Sequence, residues 1–398
     1  MKVLHLSSSR YGGAGLAAER LHKALLKSRV DSTLITREIL EEKATQLDWT
    51  YEAKKFKSKL LTYFQMPGKL GIDSLVTPWT IDFTTEISRL IEIEDFDVVH
   101  LHATYNFINF ESVVKSFPRG LVITLHDQRL LTGGCHYSRN CQRYQDKCSN
   151  CPQARKAFQS VIQNQHLDMI ELSQKLRKSN LRIVAPSSWL VNEASKSSVL
   201  RECNIEQIYN TIPDIYFDYP KKVCINSEKL VVGFVSNNLR NPYKGLEYLI
   251  RAVKEINYRG KDLIELRLLG SKDFLLETSG YSIEQASTDY ETIAFLDTLD
   301  VLMVPSEQDN SPNVMLEGLA RNVWVSGSEV GGIKEILDEF GMFTFPVGDF
   351  EALTSVLEWY LRHKNAKTNS QEKARNLFSN EVIAKQHISL YGELMSRS

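Results

Sequence analysis

The chain has 398 residues, of which 42% are hydrophobic and 24% are charged, and its formal net charge at pH 7 is -1. This length is too great for a single hydrophobic core and predicts two domains, while the near-neutral charge argues against bulk binding of nucleic acid. No run of about 18 apolar residues could span a bilayer, and the apolar part of MKVLHLSSSR is too short for a signal sequence, so the sequence predicts a cytoplasmic protein.

Short apolar runs alternate with amphipathic helical patterns along the whole chain. The runs include VLHLS, DVVHLH and LVITLH in the first half, and KLVVGFVS and LDVLMVPS in the second. Nearly continuous apolar strands that alternate with helices are typical of parallel sheets covered on both faces. The sequence therefore predicts an α/β chain with two parallel sheets, and its ligands are expected in the loops beyond the carboxyl ends of the strands.

A proline-containing stretch of mixed polarity interrupts this alternation and is interpreted as the connection between the domains. The predicted first domain covers residues 1–212, the linker 213–228 and the second domain 229–378. The last helical pattern, 379–398, follows the final predicted strand and is expected to cross back to the first domain.

A glycine loop follows the first predicted strand. The run SSSRYGGAGLAAERLHKALL places Gly12, Gly13 and Gly15 before a helix. Glycines let backbone N–H groups approach an anion closely. The run does not fit the G-x-G-x-x-G fingerprint, and a lone glycine turn before a helix is more often an ordinary turn.

The stretch from Tyr51 to Leu70 mixes lysines with Phe, Leu and Tyr. Such a basic amphipathic pattern is typical of a solvated helix face and also of a segment that lies on an anionic membrane surface. Both interpretations stay open. The second would place the protein peripherally on a membrane.

The run LVITLHDQRLLTGGCHY ends a predicted strand at His126 and Asp127, and Arg129 follows. A lone histidine at a strand end is structural in most proteins. It can also face a ligand, because ligands bind beyond the carboxyl ends of parallel strands.

Four cysteines lie close together in the predicted loop 133–152: Cys135, Cys141, Cys148 and Cys151. In a cytosolic chain such a cluster favours a metal over disulfides, and four thiolates suit tetrahedral zinc. The loop is therefore a candidate site for a structural zinc ion. The alternative is a set of reduced cysteines without a metal.

Two cations follow the first predicted strand of the second domain. The run GFVSNNLRNPYKGLEYLI places Arg240 and Lys244 between that strand and a helix. Cations there could neutralise a diphosphate leaving group in a water-poor site. The alternative is a solvated basic loop.

The run PSEQDNSPNVMLEGLARNVWVSGSEVGG joins two predicted strands through a short helix. We expect the helix to begin at Ser311 and Pro312, because Ser is a favoured N-cap and Pro is tolerated at the first helical position. Backbone N–H groups from Asn313 and Val314 onward, together with the helix dipole, predict a phosphate site.

Acidic and amide side chains flank this helix start. Asp309 and Asn310 come just before it, and Glu317 lies about 7 to 8 Å further along the helix axis. A carboxylate at that distance from a diphosphate could accept hydrogen bonds from ribose hydroxyls. The alternative is an ordinary capped helix with a solvated Glu.

The run from Pro305 to Leu337 resembles the C-terminal motif of glycosyltransferase family 4. Members are retaining nucleotide-sugar transferases of the GT-B fold, in which two Rossmann-like domains face each other across a cleft. The family usually has two Glu residues in this motif, whereas this chain has Asp309 and Glu317. The usual Arg position in the Lys-Gly loop is Leu239 here, and Arg240 follows it.

The resemblance implies roles for particular residues. Glu317 would hold the ribose, and Asp309 and His126 would face the transferred sugar. The predicted catalytic residues are His126, Lys244 and Asp309. The predicted donor-binding residues are Gly13, Arg240, Lys244, Asn310, Ser311, Pro312, Asn313, Val314 and Glu317.

The resemblance also implies an activity. The protein would move a hexose-type sugar from a UDP- or GDP-linked donor to a hydroxyl of a glycan or lipid-linked acceptor, in bacterial surface polysaccharide assembly. It would need no catalytic metal, and it would work in the cytoplasm or on the inner face of the plasma membrane. The cysteine loop resembles an insertion in some polysaccharide-assembly members. Two alternatives stay open: a sugar-nucleotide epimerase of similar architecture and a non-catalytic sugar-nucleotide-binding protein.

Overall fold

The computed structural model of this chain forms two compact units. One contains Met1–Tyr209 and Ile383–Ser398, and the other contains Asn210–Val382. None of the described helices is long and apolar enough to cross a membrane. The structure describes residues 1–39, 95–105, 107–108, 120–154, 156, 159–176, 180–221, 228–260, 262–271, 280–364 and 366–396.

The described part of the first unit is built on a six-stranded sheet in the order β2-β1-β3-β4-β5-β6, in which every pair is parallel. The strands are β1 Lys2–Ser7, β2 Asp31–Thr36, β3 Val98–Leu101, β4 Leu121–Thr124, β5 Leu181–Ala185 and β6 Ile205–Gln207. The helices are α1 Gly12–Lys27, α2 Gln159–Leu176 and α3 Ser188–Lys196.

Hydrophobic clusters cover both faces of this sheet. Leu4 and Leu6 of β1 belong to one hydrophobic cluster, and Val3 of the same strand belongs to another. The second cluster includes Leu21 of α1 and Tyr391 near the chain's end. Successive side chains of a strand point to opposite faces, so the nearly continuous apolar runs reflect two buried faces.

Among the described residues, the second unit has a six-stranded sheet in the order β12-β11-β10-β7-β8-β9, again with parallel pairs. The strands are β7 Leu230–Ser236, β8 Ile264–Gly270, β9 Tyr281–Glu284, β10 Val301–Val304, β11 Trp324–Ser328 and β12 Thr344–Phe345. The helices are α4 Ile215–Asp218, α5 Leu246–Gly260, α6 Asp289–Leu296, α7 Asn313–Ala320, α8 Gly331–Glu339, α9 Phe350–Arg362 and α10 Gln371–Phe378. The predicted α/β chain with two parallel sheets is confirmed.

The final helix, α11, covers Asn380–Met395. Its residues from Ile383 onward belong to the first unit, where Leu390, Tyr391 and Leu394 are buried against the sheet. The helix thus covers one face of the first sheet together with α1.

A buried ion pair fixes the start of the second unit. The Arg321 guanidinium donates two hydrogen bonds to Asp297, from Nε at 2.9 Å and from Nη2 at 2.8 Å. Its Nη1 donates to the carbonyls of Tyr216 and Tyr219 at 3.0 and 2.8 Å. A buried charge needs such complete pairing to offset its lost hydration. Part of the stretch interpreted as a linker is therefore tied to the second unit.

Candidate functional site

The C-terminal ends of β7 and β10, which are neighbours in the second sheet, bring several predicted site residues together. Lys244 lies in the loop after β7 and Asp309 in the loop after β10. The Lys244 Nζ donates a hydrogen bond to Asp309 Oδ2. The Asp309 side chain is 9% exposed and that of Lys244 is 33% exposed, so the cation is the member of the pair that solvent or a ligand reaches.

The sequence NPYKG encodes the turn that holds Lys244. Pro242–Lys244 forms one turn of 3-10 helix, and the Asn241 side chain accepts a hydrogen bond from Tyr243 N at 3.1 Å. Gly245 has φ +72°, in the left-handed region that glycine adopts without strain. A Cβ added to it would lie 1.9 Å from the carbonyl oxygen of Pro305. Glycine therefore lets the lysine turn close directly onto the end of β10.

Helix α7 begins one residue later than the sequence indicates. Asn313 is its first residue, and Pro312 is the N-cap, with an extended backbone at φ -61° and ψ 119°. The prediction of a start at Ser311 and Pro312 is wrong. Residues before proline avoid the α region, and Pro312 itself stays extended, so the helix starts after the proline.

The chain before this helix is anchored through amide groups. Asn210 Nδ2 donates to Ser311 O at 3.4 Å and to Asn313 Oδ1 at 3.3 Å. Asn310 is buried, and its backbone N–H donates to Asp309 Oδ1 at 2.9 Å. These bonds hold the N-terminal end of α7 beside the Lys244–Asp309 pair.

One hydroxyl at this site lacks a partner. Ser311 Oγ is buried and makes no hydrogen bond within the described residues. A buried unsatisfied polar group costs about 1 to 3 kcal/mol, and such groups in native proteins need an explanation. A ligand with hydrogen-bonding oxygens at the start of α7 would supply one.

Glu317 is buried, with 4% exposure, in a helix whose neighbouring residues are apolar and also buried. This burial excludes the alternative of a solvated Glu on an ordinary capped helix. Asn313 and Val314, in the first turn, are half-buried. The helix start is thus partly accessible, and its carboxylate lies deeper.

Arg240 is exposed, and its backbone N–H donates to Asn238 Oδ1 at 3.0 Å. Leu239, at the position where the family usually has Arg, is 3% exposed and belongs to the hydrophobic core of the second unit. The chain therefore uses this position for packing, and its positive charge lies one residue further along the loop.

In the first unit the glycine loop leads into α1 after Tyr11. Gly12 has φ +76°, and a Cβ on Gly15 would lie 2.4 Å from the Ser9 carbonyl oxygen. Packing and backbone conformation therefore explain these two glycines. Gly13 is exposed, and a Cβ there would meet nothing within 4 Å. A Cβ on Gly12 would also meet nothing within 4 Å, so sterics do not explain why Gly13 is glycine.

His126 follows β4, and its Nε2 lies 3.1 Å from Nδ1 of His102. Burial lowers the pKa of His126 to about 4, so the side chain is neutral at pH 7. The adjacent Asp127 accepts hydrogen bonds from Tyr105 OH at 2.9 Å and from Arg129 Nη1 at 3.0 Å. Arg129 thus neutralises a buried carboxylate.

The four clustered cysteines lie near one another. Cys135, Cys148 and Cys151 are buried and Cys141 is half-buried. A hydrogen bond between the thiols of Cys135 and Cys151 raises the pKa of the first and lowers that of the second to about 6. Within the part of the chain that the structure describes, three potential ligand atoms within 4.8 Å of one another occur only at His5, His100 and His102. The four thiols share one loop, but no three of their sulfur atoms lie within 4.8 Å of one another.

The sequence motifs indicated His126 but not the buried histidines near it, His5, His100 and His102. A usable signal was present in the strand runs VLHLS, VVHLH and VITLH, each of which carries a histidine at or near its end. Hydrophobic strands rarely contain histidine without a reason, because an unpaired buried imidazole is costly.

Comparison with known proteins identifies the second unit. Residues 229–363 match the family model described as Glycosyl transferases group 1. The chain is 23% identical over 316 residues to the putative colanic acid biosynthesis glycosyl transferase WcaC of Escherichia coli, a match that covers 75% of this chain and 76% of that protein.

The fold is similar to that of solved glycosyltransferases. Sucrose-phosphate synthase from Thermosynechococcus elongatus has a TM-score of 0.67 at 15% identity. Anabaena HepE in complex with UDP-glucose has a TM-score of 0.60, also at 15% identity, and both matches cover 100% of each chain. The predicted GT-B fold and the resemblance to glycosyltransferases are confirmed, whereas the assignment to family 4 stays a prediction.

Proposed function

We propose that this chain, whose residues 229–363 match the Glycosyl transferases group 1 model, transfers a sugar from a nucleoside diphosphate to a hydroxyl acceptor in polysaccharide assembly, with retention of the anomeric configuration. The observation that carries this proposal is the convergence of Lys244, Asp309, the start of α7 and the buried Glu317 beyond neighbouring strands. HepE binds UDP-glucose, and this supports UDP as the nucleotide.

The donor's diphosphate meets four sources of positive potential in this proposal. The Lys244 ammonium supplies a full charge. The backbone N–H groups of Asn313 and Val314 lie at the N-terminal end of α7, where the helix dipole favours anions. The Ser311 hydroxyl, which has no partner within the described residues, donates to a phosphate oxygen. Arg240, in the loop before Lys244, adds charge from the solvent side.

Glu317 fixes the ribose and Asp309 faces the transferred sugar. A carboxylate at this depth in the site can accept hydrogen bonds from two ribose hydroxyls. When Lys244 turns to the diphosphate, the Asp309 carboxylate becomes available to sugar hydroxyls. In the first unit, the roles of His126 at the sugar and of Gly13 at the diphosphate are proposed from the family resemblance alone.

Transfer breaks the bond between the sugar's anomeric carbon and the diphosphate oxygen. The acceptor oxygen forms a bond to the same carbon from the same face, and its proton passes to the departing phosphate. Lys244 and the start of α7 stabilise the charge that develops on the diphosphate, which is where preorganised donors lower a barrier most. This proposal requires no catalytic metal.

Ribose recognition by Glu317 can be tested separately from phosphate recognition. We expect Glu317→Gln to weaken UDP binding about tenfold to hundredfold, because a hydrogen bond to a charged acceptor contributes about 1.5 to 3 kcal/mol. Binding of inorganic pyrophosphate should change little. Lys244→Ala should weaken both ligands.

Isothermal titration of UDP, GDP and pyrophosphate against the three proteins measures these affinities. Equal loss of UDP and pyrophosphate affinity in Glu317→Gln would contradict the ribose role. With UDP-sugar and acceptor, the anomeric coupling constant of the product by NMR reports retention or inversion. Turnover of the donor without acceptor would favour an epimerase.

We also propose a structural zinc ion at Cys135, Cys141, Cys148 and Cys151. Cys135, Cys148 and Cys151 are buried, and the other three cysteines of the cluster all influence the ionisation of Cys135. Thiolate ligation would explain why four thiols gather in one loop. The ion would pin the loop and take no part in transfer.

Purified protein should contain about one zinc per chain by mass spectrometry of the metal. Cys148→Ser should lose this zinc and lower the melting temperature. Cys203→Ser, which removes a half-buried cysteine outside the cluster, is the matched control and should keep the zinc. A stable, zinc-free wild-type protein with four reactive thiols in this loop would rule the ion out.

The acceptor and the cellular location stay predictions from the sequence. A glycan or lipid-linked acceptor and a site of action on the inner face of the plasma membrane are proposed by resemblance. The basic stretch from Tyr51 to Leu70 lies outside the described residues, so the structure adds nothing to the membrane hypothesis.

A further inference from the structure

A row of histidines crosses one face of the first sheet. His5 of β1 pairs in register with His100 of β3. His102 follows β3 by one residue, and His126 follows β4 by two. His5, His100 and His102 are buried. On the same face of β1 and β3, the strand residues that precede them are valines. The row therefore continues the apolar face that packs under α1 and α11.

Three of these histidines form a continuous hydrogen-bonded chain. His5 Nδ1 lies 3.0 Å from His102 Nε2, and His102 Nδ1 lies 3.1 Å from His126 Nε2. The ring centroids are 5.3 and 5.4 Å apart in these two pairs. At these distances, the two nitrogens of each pair must lie nearly on the line that joins the two ring centres. Each contact is thus an in-line hydrogen bond between imidazoles.

The surroundings keep the chain neutral. Burial lowers the pKa of His5 and of His102 well below its ordinary value, and the pKa of His126 to about 4. The other ionisable groups that act on His5 and His102 are histidines, including His22 of α1 and His387 of α11. The Asp127 carboxylate acts on His126 and favours its charged form, but burial outweighs it.

Neutrality leaves two proton arrangements. A neutral imidazole has one N–H and one bare nitrogen, so His102 must donate to one neighbour and accept from the other. If the protons point toward His5, the buried His5 Nε2 carries an N–H with no partner within the described residues. If they point toward His126, the same atom is only a bare acceptor. Orphaned buried N–H groups are rarer than under-satisfied acceptors, so the second arrangement is favoured.

We propose that His5 and His102 are positioning residues that fix His126 in the Nδ1–H tautomer. His102 donates to His126 Nε2, which leaves the proton of His126 on Nδ1. The tautomer of a histidine is set by the hydrogen bond that its other nitrogen makes. In this tautomer Nδ1 of His126 carries the proton, as a contact with a sugar oxygen acceptor would require, and Nε2 cannot act as a general base. The sugar contact rests on the proposed function, whereas the tautomer does not.

A metal ion is the competing explanation for this cluster, since ligand nitrogens of His5, His100 and His102 lie within 4.8 Å of one another. The geometry disfavours it. The rings of His100 and His102 are stacked, with centroids 4.3 Å apart, so their in-plane lone pairs do not converge. The two ring nitrogens of His100 are already bonded to Tyr391 OH and Thr124 Oγ1, both at 2.7 Å.

The tautomer can be measured by two-bond 1H–15N NMR on the full chain labelled with 15N-histidine, without donor or acceptor. We expect the His126 signals of the wild-type protein to show Nδ1 protonated and Nε2 bare between pH 6 and 8. His102→Phe removes the donor and should move the proton of His126 to Nε2. His102→Gln, whose amide can still donate, should retain the wild-type tautomer.

The wild-type spectrum alone decides the proposal if His102→Phe does not fold. A protonated Nε2 in wild-type His126, or an unchanged tautomer in folded His102→Phe, would overturn it. So would zinc retained at about one ion per chain by a variant that lacks the cysteine cluster, with coordination shifts at His5 and His102.

In turnover, His102→Phe should lower kcat/KM about tenfold, the scale of one misdirected hydrogen bond, with His102→Gln closer to wild type. An Nδ1–H tautomer without such a kinetic effect would keep the positioning role of His102. It would contradict only the contact of His126 with sugar.

Discussion

Replacing Lys244 by alanine should lower kcat about a hundredfold to a thousandfold, the range seen when one preorganised donor to a developing anion is removed. Lys244 is the partly exposed member of its ion pair with Asp309, and its turn is closed onto β10 through Gly245. The positive charge of Lys244 is therefore already held where the leaving diphosphate is proposed to bind. Steady-state kinetics with a UDP-sugar measure the effect, and Lys254→Ala, which removes an exposed lysine of α5, is the matched control.

The ion pair creates an ambiguity that a double variant resolves. Lys244→Ala leaves the buried Asp309 carboxylate without its lysine, so lost activity could come from a disturbed loop. Lys244→Ala with Asp309→Asn removes that charge and should recover the melting temperature. Because Asp309 is itself proposed to face the sugar, the kcat of this double variant is compared with that of Asp309→Asn alone, and it should still be lower. Lys244→Arg keeps the charge and should retain part of the activity. A Lys244→Ala protein within about threefold of wild-type kcat would exclude the proposed role.

Local sequence rules brought the residues of the proposed donor site together because those residues lie at strand ends. Parallel strands place their C-terminal loops at one edge, so Lys244 after β7 and Asp309 after β10 could be assigned to one edge from the sequence alone. The sequence does not reveal that β7 and β10 are neighbours in the sheet. That adjacency turns two separate motif residues into an ion pair.

The same rules failed where two local preferences compete. Ser311 is a favoured N-cap and Pro312 a favoured first residue, yet proline keeps its own backbone extended here and serves as the cap. At Leu239 a motif position is occupied by a core residue, and only burial shows that its side chain packs inward.

The histidine chain required tertiary information. His5, His102 and His126 are far apart in sequence, and they meet because β1, β3 and β4 are consecutive in the sheet. Strand periodicity could place each histidine on a face. It could not show that the histidines of different strands lie on the same face of the sheet, because that depends on the register between strands.

Buried histidines also make the first unit sensitive to acid. Burial lowers the folded-state pKa of His126 and of His387 to about 4, from 6.5 for an unperturbed imidazole. Between these values the unfolded chain binds more protons than the folded chain. Stability is therefore complete above about pH 6.5 and is lost as pH falls toward 4.

The loss is about 1.4 kcal/mol per group by pH 5.5 and about 3 kcal/mol by pH 4. Burial lowers the pKa of His5, His100 and His102 in the same direction. Since a folded domain is stable by only about 5 to 15 kcal/mol, the first unit should unfold before pH 4 is reached. The second unit contains His363, which is exposed, and should persist to lower pH.

Urea unfolding at several pH values, followed by hydrogen exchange of peptides from each unit, separates the two responses. His387→Gln removes one titrating group, so it should flatten the pH dependence of the first unit by about 3 kcal/mol between pH 7 and 4. His363→Gln is the matched control and should leave both curves unchanged. A first unit whose free energy of unfolding stays constant from pH 7 to 5 would mean that these imidazoles are not held neutral by burial. The tautomer assigned to His126 would then lose its premise as well, because a charged imidazole carries protons on both nitrogens.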